Sequence, residues 1–309
     1  MSVMRSVLLA ASQNRWLRER AANYKFVRRS VSRFMPGETL DDALGAAGAL
    51  KNKKIRSVLT QLGENVTDRA EAQRVADHYL EVLRRIRAEG QDAEISIKLT
   101  QLGLDLSKEL CLEHVNAIVA AERRESTVWI DMEASNYVDV TLEVYRRALE
   151  AFPNVGLCLQ AYLYRTAKDL EGLLLMRPSI RLVKGAYREP ADIAYPAKAD
   201  VDKNYFELSK KLLAAQAGGQ CARVGLATHD VSLIGRIREF AKQSEMAMEK
   251  LEVQMLYGIQ RGEQERLAAA GCRMAVLISY GTYWYPWFVR RLAERPANLW
   301  FMLRNVFVG

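Results

Sequence analysis

Residues 155–160 read VGLCLQ, and residues 273–279 read RMAVLIS. Apolar side chains follow one another in both runs, so both faces of each predicted strand are apolar. This pattern is typical of parallel strands that helices cover on both sides of a sheet. The two runs therefore predict an α/β fold built on a parallel sheet.

Further short β-rich runs occur along the chain, and longer segments of helical period separate them. The eight predicted strands are 56–61, 93–98, 127–132, 155–160, 180–184, 222–228, 251–255 and 273–279. The predicted helices are 68–88, 107–123, 138–151, 168–176, 200–217, 232–243 and 262–270, with a last helix near 287–293. Strand–helix units of this number, spread over about 250 residues, match the size of a (β/α)8 TIM barrel.

A doubly wound open sheet is the alternative architecture for this alternation. The glycines at 45–48 and 218–219 come nearest to a dinucleotide-binding turn, but neither pair follows a predicted strand and opens a helix. We therefore favour the barrel. No stretch rich in Pro, Gly or Ser divides the chain. The predicted organisation is a basic helical arm at 1–53 followed by one barrel domain at 54–309.

The composition is that of a globular protein, because the 309 residues are 50% hydrophobic and 27% charged. The net charge of +8 is concentrated at residues 1–37, which hold eight cations against one acid, Glu19. Such an arm is typical of a targeting segment, of a helix that contacts an anionic membrane surface, or of a helix packed on the main domain. A nucleic-acid anchor is a further hypothesis. Because the rest of the chain is almost neutral, we expect no nucleic-acid partner.

The four cysteines and three histidines are scattered, without a CxxC pair or a zinc-ligand spacing. We therefore expect reduced cysteines and no metal site. No apolar run reaches the roughly 18 residues of a membrane span, and the apolar stretch near Val7 lacks a signal-peptide cleavage pattern. The predicted location is the cytoplasm, with peripheral contact at the inner face of the membrane, or the mitochondrial matrix if the source is eukaryotic.

Polar side chains stand where the predicted strands end. In chain order they are Glu64, Lys98, Asp131 with Glu133, Gln160, Lys184, Thr228 with His229, Gln254, and Tyr280. The active sites of TIM barrels lie at the carboxyl ends of the strands, and apolar strands that end repeatedly in polar groups predict a ligand site there. One hypothesis from these residues is a Schiff-base lyase or aldolase, in which Lys98 or Lys184 is the nucleophile.

Several of these strand ends lie in longer motifs. They are SIKLTQLG (96–103), DMEAS (131–135), LQAYLYR (159–165), IRLVKGAYREP (180–190), LATHD (226–230), EVQMLYGI (252–259) and YWYPWFVRRLAERPAN (283–298). In sequence and in order these motifs resemble those of the proline dehydrogenase family, from about Gly37 to Asn298. The resemblance implies a distorted (β/α)8 barrel that holds FAD without a Rossmann domain. It also implies oxidation of L-proline to Δ1-pyrroline-5-carboxylate, the first step of proline catabolism to glutamate, with electrons passed to a membrane quinone. The length indicates the monofunctional enzyme.

The resemblance also implies roles for individual residues. The residues expected to be catalytic are Asp131 and Arg181. Those expected to bind substrate are Lys98, Arg290, Arg291, Tyr280, Leu256 and Glu294. Those expected to bind the cofactor are Met132, Gln160, Lys184, Gly185, Ala186, Tyr187, Thr228 and His229, and Tyr187 is also expected to cap the proline ring. Cations suit this substrate, because the proline carboxylate needs fixed positive charge and an arginine fork holds a carboxylate by two hydrogen bonds.

Overall fold

Each strand lies parallel to its neighbour in sequence order, and the last pairs with the first to close a barrel. The computed structural model describes residues 31–285 and 287–289. The strands are β1 Arg56–Gln61, β2 Ala93–Ile97, β3 Val128–Ile130, β4 Val155–Gln160, β5 Ser179–Val183, β6 Arg223–Ala227, β7 Glu252–Leu256 and β8 Arg273–Tyr280. Closure confirms the predicted (β/α)8 barrel over the open doubly wound sheet.

Helices follow the strands and cover the outside of the barrel. They are α1 Leu40–Lys51, α2 Arg69–Ala88, α3 Lys108–Ala121, α4 Val138–Ala151, α5 Thr166–Leu174, α6 Lys198–Ala217, α7 Val231–Gln243 and α8 Arg261–Ala269. Short 3₁₀ turns occur at Leu99–Gln101, Ser135–Tyr137 and Met248–Lys250. Among the described helices, none combines the length and apolar character that crossing a membrane requires.

Side-chain caps fix where several helices begin. Asp68, Ser107 and Asp230 each accept a hydrogen bond from a backbone N–H in the first turn of α2, α3 and α7. Thr39 and Asp42 form a reciprocal capping box at α1. Because the caps of α2, α3 and α7 stand in strand-to-helix loops, they also fix the loops that surround the mouth of the barrel.

The barrel interior is filled, with a tryptophan at its centre. Trp129 of β3 is fully buried, and the guanidinium carbons of Arg181 and Arg223 each lie 5.1 Å from its ring centroid. Gly156 on the adjacent β4 leaves room for the indole, since a Cβ there would lie 2.6 Å from a ring carbon. The Trp129 Nε1–H donates to Glu94 at 3.0 Å. The indole therefore forms the packed floor beneath the mouth of the barrel.

Below the indole lies a buried ion-pair network. Arg223 Nη1 lies 2.6 Å from Glu94 Oε1, and Arg223 Nε lies 2.7 Å from Glu252 Oε2. Burial alone would raise the pKa of Glu252, but Arg223 outweighs burial and holds that pKa below its ordinary value. The amino-terminal end of the barrel is thus closed by paired charges, with each buried carboxylate matched to a guanidinium.

Part of the predicted basic arm lies within the described residues. Helix α1 packs on β1 and β8 and buries Ala43, Leu44 and Ala47 in the main apolar core. Residues 1–30 lie outside the described residues, and so does the predicted last helix from residue 290 onward. The domain boundary at residue 53 stays a prediction.

Candidate active site

A cavity of about 630 Å³ opens at the carboxyl ends of the strands. Of the residues predicted for the site, those that line it are Lys98, Asp131, Met132, Gln160, Arg181, Lys184, Gly185, Ala186, Tyr187, Thr228, His229 and Leu256. A cavity of this size lies within the usual range for small-molecule and cofactor sites. Most residues of the strand-end pattern therefore stand around one cavity, because the βα loops converge on one face of the barrel.

The innermost part of the cavity is a charge-paired group around Asp131. Asp131 Oδ1 accepts hydrogen bonds from Arg181 Nη2 at 2.6 Å and from Ser96 Oγ at 2.9 Å. Asp131 Oδ2 lies 3.5 Å from Lys98 Nζ. Strands β2 and β5 supply Ser96 and Arg181, and Lys98 and Asp131 directly follow β2 and β3. Asp131 diverges from the strand that sequence predicted at 127–132, and β3 ends at Ile130.

This group stays ionised over a wide pH range. Burial raises the pKa of Asp131, but Arg181 and then Lys98 outweigh burial and hold it below its ordinary value. Burial lowers the pKa of Lys98, but Asp131 together with Glu64, Tyr79 and Glu133 outweighs burial, so that pKa lies above its ordinary value. A Schiff-base nucleophile must be a neutral amine. The environment of Lys98 therefore disfavours the lyase hypothesis for that residue.

A second charged group stands at the rim of the cavity. Lys184 Nζ lies 2.5 Å from Asp202 Oδ1 and 2.9 Å from Asp230 Oδ2. Lys198 pairs with the same two carboxylates. Burial raises the pKa of Asp230, but the hydrogen bonds from Lys184 and the Leu233 backbone, with the charges of Lys184 and Lys198, outweigh burial, and the pKa falls to about 2. The alternating charges tie the end of β5 to the first turns of α6 and α7, which fixes this side of the mouth.

Gln160 presents an unused acceptor at the cavity. Its Nε2–H group donates to the carbonyl oxygens of Met132 and Glu133 at 3.3 and 3.2 Å. Its Oε1 is buried and has no hydrogen-bond partner among the described residues. A buried amide oxygen without a partner is costly, so this atom is suited to accept a hydrogen bond from a bound ligand.

His229 is held by the strand beside it. The backbone N–H of Leu256 donates to His229 Nε2 at 2.9 Å. In the neutral ring the proton is therefore on Nδ1. This bond links the loop after β6 to the end of β7, so it sets the position of His229 in the wall.

Gly185 is required by its backbone conformation and by a close aromatic side chain. It adopts φ +115°, and a Cβ there would lie 2.2 Å from the ring of Tyr162. Both the left-handed backbone and the close tyrosine exclude a larger residue. Glycine at this position is therefore explained within the protein itself, without close approach of a flavin ring.

Tyr280 does not line the cavity, which corrects its placement beside the substrate. Its side chain is buried, and its hydroxyl lies 2.7 Å from His78 Nε2 on α2. Successive side chains on a strand alternate between faces, and Leu277 and Ser279 of β8 are the ones that line the cavity. Tyr280 therefore points outward, as the alternation along β8 indicates.

The remaining predicted substrate residues, Arg290, Arg291 and Glu294, lie outside the described residues. Gln254, which the strand-end pattern includes, also lines the cavity. Other lining residues had not been predicted, among them Cys158 and Trp287. Alternation along β4 was the signal that points to Cys158. Among the described residues, no three His, Cys, Asp or Glu side chains group as a metal site would require.

Comparison with known proteins agrees with this geometry. The chain matches the proline dehydrogenase family over residues 43–304. It is 37% identical over 305 residues to proline dehydrogenase 1 of Bacillus subtilis subsp. natto, covering 98% of this chain and 99% of the relative. It is 39% identical over 285 residues to the proline dehydrogenase of Deinococcus radiodurans, covering 90% of each.

A solved structure shares the architecture. The crystal structure of proline utilization A from Bdellovibrio bacteriovorus superposes with a TM-score of 0.80 at 25% identity, covering 87% of this chain and 33% of that longer chain. The structure of proline utilization A from Corynebacterium freiburgense, at 22% identity, superposes with a TM-score of 0.73 and shows the same fold. The motifs, the barrel and the relatives agree, and the chain belongs to the proline dehydrogenase family.

Proposed function

We propose that this enzyme oxidises L-proline to Δ1-pyrroline-5-carboxylate with FAD as hydride acceptor and a quinone as the final electron acceptor. Proline oxidation follows from the family. The observation that carries the finer proposal is the ionised group of Lys98, Asp131 and Arg181 at the innermost end of the cavity. It combines fixed positive charge with an enclosed setting, which suits an anionic amino acid and a redox cofactor side by side.

The residues present fit a flavin. Gln160 Oε1 is a buried acceptor without a partner among the described residues, and flavin rings carry an N–H donor. Lys184, Thr228 and His229 line the rim, where cationic and polar groups suit the ribityl and phosphate parts of the cofactor. Met132 supplies an apolar surface beside the same cavity. When bound, FAD would accept at N5 the hydride that leaves the proline carbon next to nitrogen.

The chain's own residues act on the substrate. Lys98 presents a buried cation to the proline carboxylate, and Leu256 offers an apolar wall to the ring. The guanidinium of Arg181 lies at the floor of the cavity. Its positive charge would stabilise the negative charge that the cofactor gains when it accepts the hydride. Asp131 favours the ionised form of Lys98 and holds both cations in place. Arg290, Arg291 and Glu294 remain our proposed partners for the substrate carboxylate and amine.

A flavin spectrum tests the proposal. The purified protein is expected to be yellow, and its visible absorbance is expected to bleach when L-proline is added without oxygen. D-Proline is the matched control, because it has the same composition and charge but presents the wrong hydrogen to the cofactor. A well-folded protein that takes up no FAD would refute the cofactor proposal, and a flavoprotein that L-proline does not bleach would refute the reaction.

The quinone proposal gives the basic arm a role. Each cation that reaches an anionic membrane contributes about 1 kcal/mol of binding. Deletion of residues 2–30 removes Arg5, Arg15, Arg18, Arg20, Lys25, Arg28 and Arg29. We expect this deletion to abolish sedimentation with anionic liposomes while activity with a soluble electron acceptor persists. Undiminished liposome binding would show that the arm is not the membrane contact.

A further inference from the structure

We propose that residues 31–38, here called the N-terminal strap, are a positioning element that holds one wall of the substrate cavity. The inference rests on the proposed oxidation of L-proline. The wall concerned is made by Leu256 and Gln260 around the end of β7 and by Trp287. The strap contacts Gly258 and Ile259, which stand between Leu256 and Gln260 in the chain, and it packs against the segment that carries Trp287.

The first contact is apolar and separate from the barrel core. Val31, Phe34 and Met35 are buried in a cluster of their own with Leu62 at the end of β1. The other buried members of this cluster are Trp284, Tyr285, Phe288 and Val289. The ring centroids of Phe34 and Phe288 lie 6.3 Å apart. The apolar face of the segment that carries Trp287 is therefore buried against the strap.

A polar contact fixes the register of the two segments. The Trp284 Nε1–H donates to Glu38 Oε1 at 2.8 Å. Trp287 itself packs at the edge of the same cluster and also lines the cavity. A shift of the strap relative to residues 284–289 would therefore move Trp287 in the cavity wall.

The second contact is a close backbone approach. Gly258, in the loop after β7, has φ +77°, and a Cβ there would lie 1.6 Å from the carbonyl oxygen of Arg33 and 2.8 Å from its carbonyl carbon. Backbone atoms cannot yield as a flexible side chain does, so any side chain at Gly258 must lift the strap. Ile259, the next residue, packs against the strap cluster. Gly258 therefore allows the backbone of the strap at Arg33 to pack directly against the loop after β7.

Gly258→Ala and Gly219→Ala form a matched pair that tests this arrangement. Gly219 has φ +76°, and nothing lies within 4 Å of the position of its Cβ. Both variants therefore place alanine at nearly the same positive φ, but only Gly258→Ala displaces the strap. In the holoenzyme we expect Gly258→Ala to raise the KM for L-proline about tenfold, with kcat and flavin content within about twofold of wild type. Gly219→Ala is expected to leave KM unchanged.

Amide hydrogen exchange gives a readout that does not depend on activity. Gly258→Ala is expected to speed exchange in peptides that contain residues 31–38 and 284–289, and Gly219→Ala is not. A KM that is equal in the two variants would overturn the positioning role. Unchanged exchange at 284–289 would overturn the contact itself. If the wild type does not oxidise proline, the proposed function fails, and exchange still decides whether the strap holds this segment.

A second pair avoids any change in backbone conformation. Phe34→Ala removes the ring that packs on Phe288, and Phe34→Leu restores most of the apolar volume. The alanine variant is expected to raise KM and to speed exchange at 284–289, and the leucine variant is expected to reverse both effects. Equal KM values in the two variants would overturn the proposal even if Gly258→Ala does not fold.

Discussion

Replacing Asp131 with asparagine tests the charge-paired floor of the cavity. The variant keeps the shape of the side chain but leaves Lys98 and Arg181 buried together without their shared anion. At the observed 3.5 Å between Lys98 Nζ and Asp131 Oδ2, the attraction lost is about 5 kcal/mol for an effective dielectric constant near 20. Because water and local relaxation recover part of this, we expect a net loss of about 3–5 kcal/mol in the free energy of unfolding at pH 7.

The loss is expected to depend on pH with a definite sign. In the wild type, Asp131 together with Glu64, Tyr79 and Glu133 outweighs burial and holds the pKa of Lys98 above its ordinary value. Without Asp131, burial is opposed only by the weaker effects of the other three groups, and we expect the pKa of Lys98 to fall below its value in the unfolded chain. The folded variant then binds fewer protons than the unfolded chain, so its stability rises towards pH 10. The deficit relative to wild type should therefore shrink between pH 7 and pH 9.5.

Urea unfolding followed by circular dichroism at the two pH values measures both effects. Asp139→Asn is the matched control, because Asp139 pairs with Arg165 at the surface and its side chain is 82% exposed. We expect that variant to lose less than about 1 kcal/mol. The double variant Lys98→Met with Asp131→Asn should recover stability, since it removes one uncompensated charge. A single-variant deficit below about 1 kcal/mol, or one that is equal at both pH values, would refute the reasoning.

Two further predictions concern the rim and the outer face of the barrel. Asp230→Asn keeps the helix cap but removes the charge that pairs with Lys184, so it should cost about 1–2 kcal/mol at pH 7. Since the pKa of Asp230 is lowered to about 2, this deficit should narrow as urea unfolding is repeated from pH 4 towards pH 2; a deficit that is constant with pH would contradict it. Tyr280→Phe removes a hydroxyl that contacts His78 rather than the cavity. It should lower the melting temperature and leave the KM for L-proline within about twofold of wild type, and a large rise in KM would show that the hydroxyl acts on the substrate.

The strands were predictable because each is an apolar run whose outer face packs against helices and whose inner face packs in the barrel interior. All eight predicted runs overlap an observed strand, and 56–61 and 155–160 coincide with β1 and β4. The largest difference is at 127–132, where β3 retains only Val128–Ile130. Asp131 and Met132 line the cavity instead. The hydrophobic pattern of the sequence does not predict where β3 ends, because the end of the strand depends on the charged partners of Asp131.

The parts of the site that sequence missed are set by tertiary closure. Lys184 meets Asp202 and Asp230, which stand 18 and 46 residues further along the chain. These residues become neighbours only because the loops after β5 and β6 lie side by side in the closed barrel. Glu38 and Trp284 are 246 residues apart in the chain, so no local sequence pattern predicts their contact. In contrast, the sequence did contain a signal for Tyr280. Alternation along β8 indicates that its side chain points away from the cavity, although we expected it beside the substrate.

The packing of Trp129 against Gly156 has a consequence for how this barrel varies among related proteins. The indole occupies the volume that a side chain on the neighbouring strand would need. The side chains at positions 129 and 156 therefore compete for the same volume in the barrel interior. A larger side chain at one position requires a smaller one at the other. A homologue with a small residue in place of the tryptophan has room for a side chain in place of the glycine if Thr127 also yields, because a Cβ there would lie 2.8 Å from Thr127 Cγ2. One that keeps the tryptophan must keep the glycine. The pair is expected to change together across homologues, as a single unit of barrel packing.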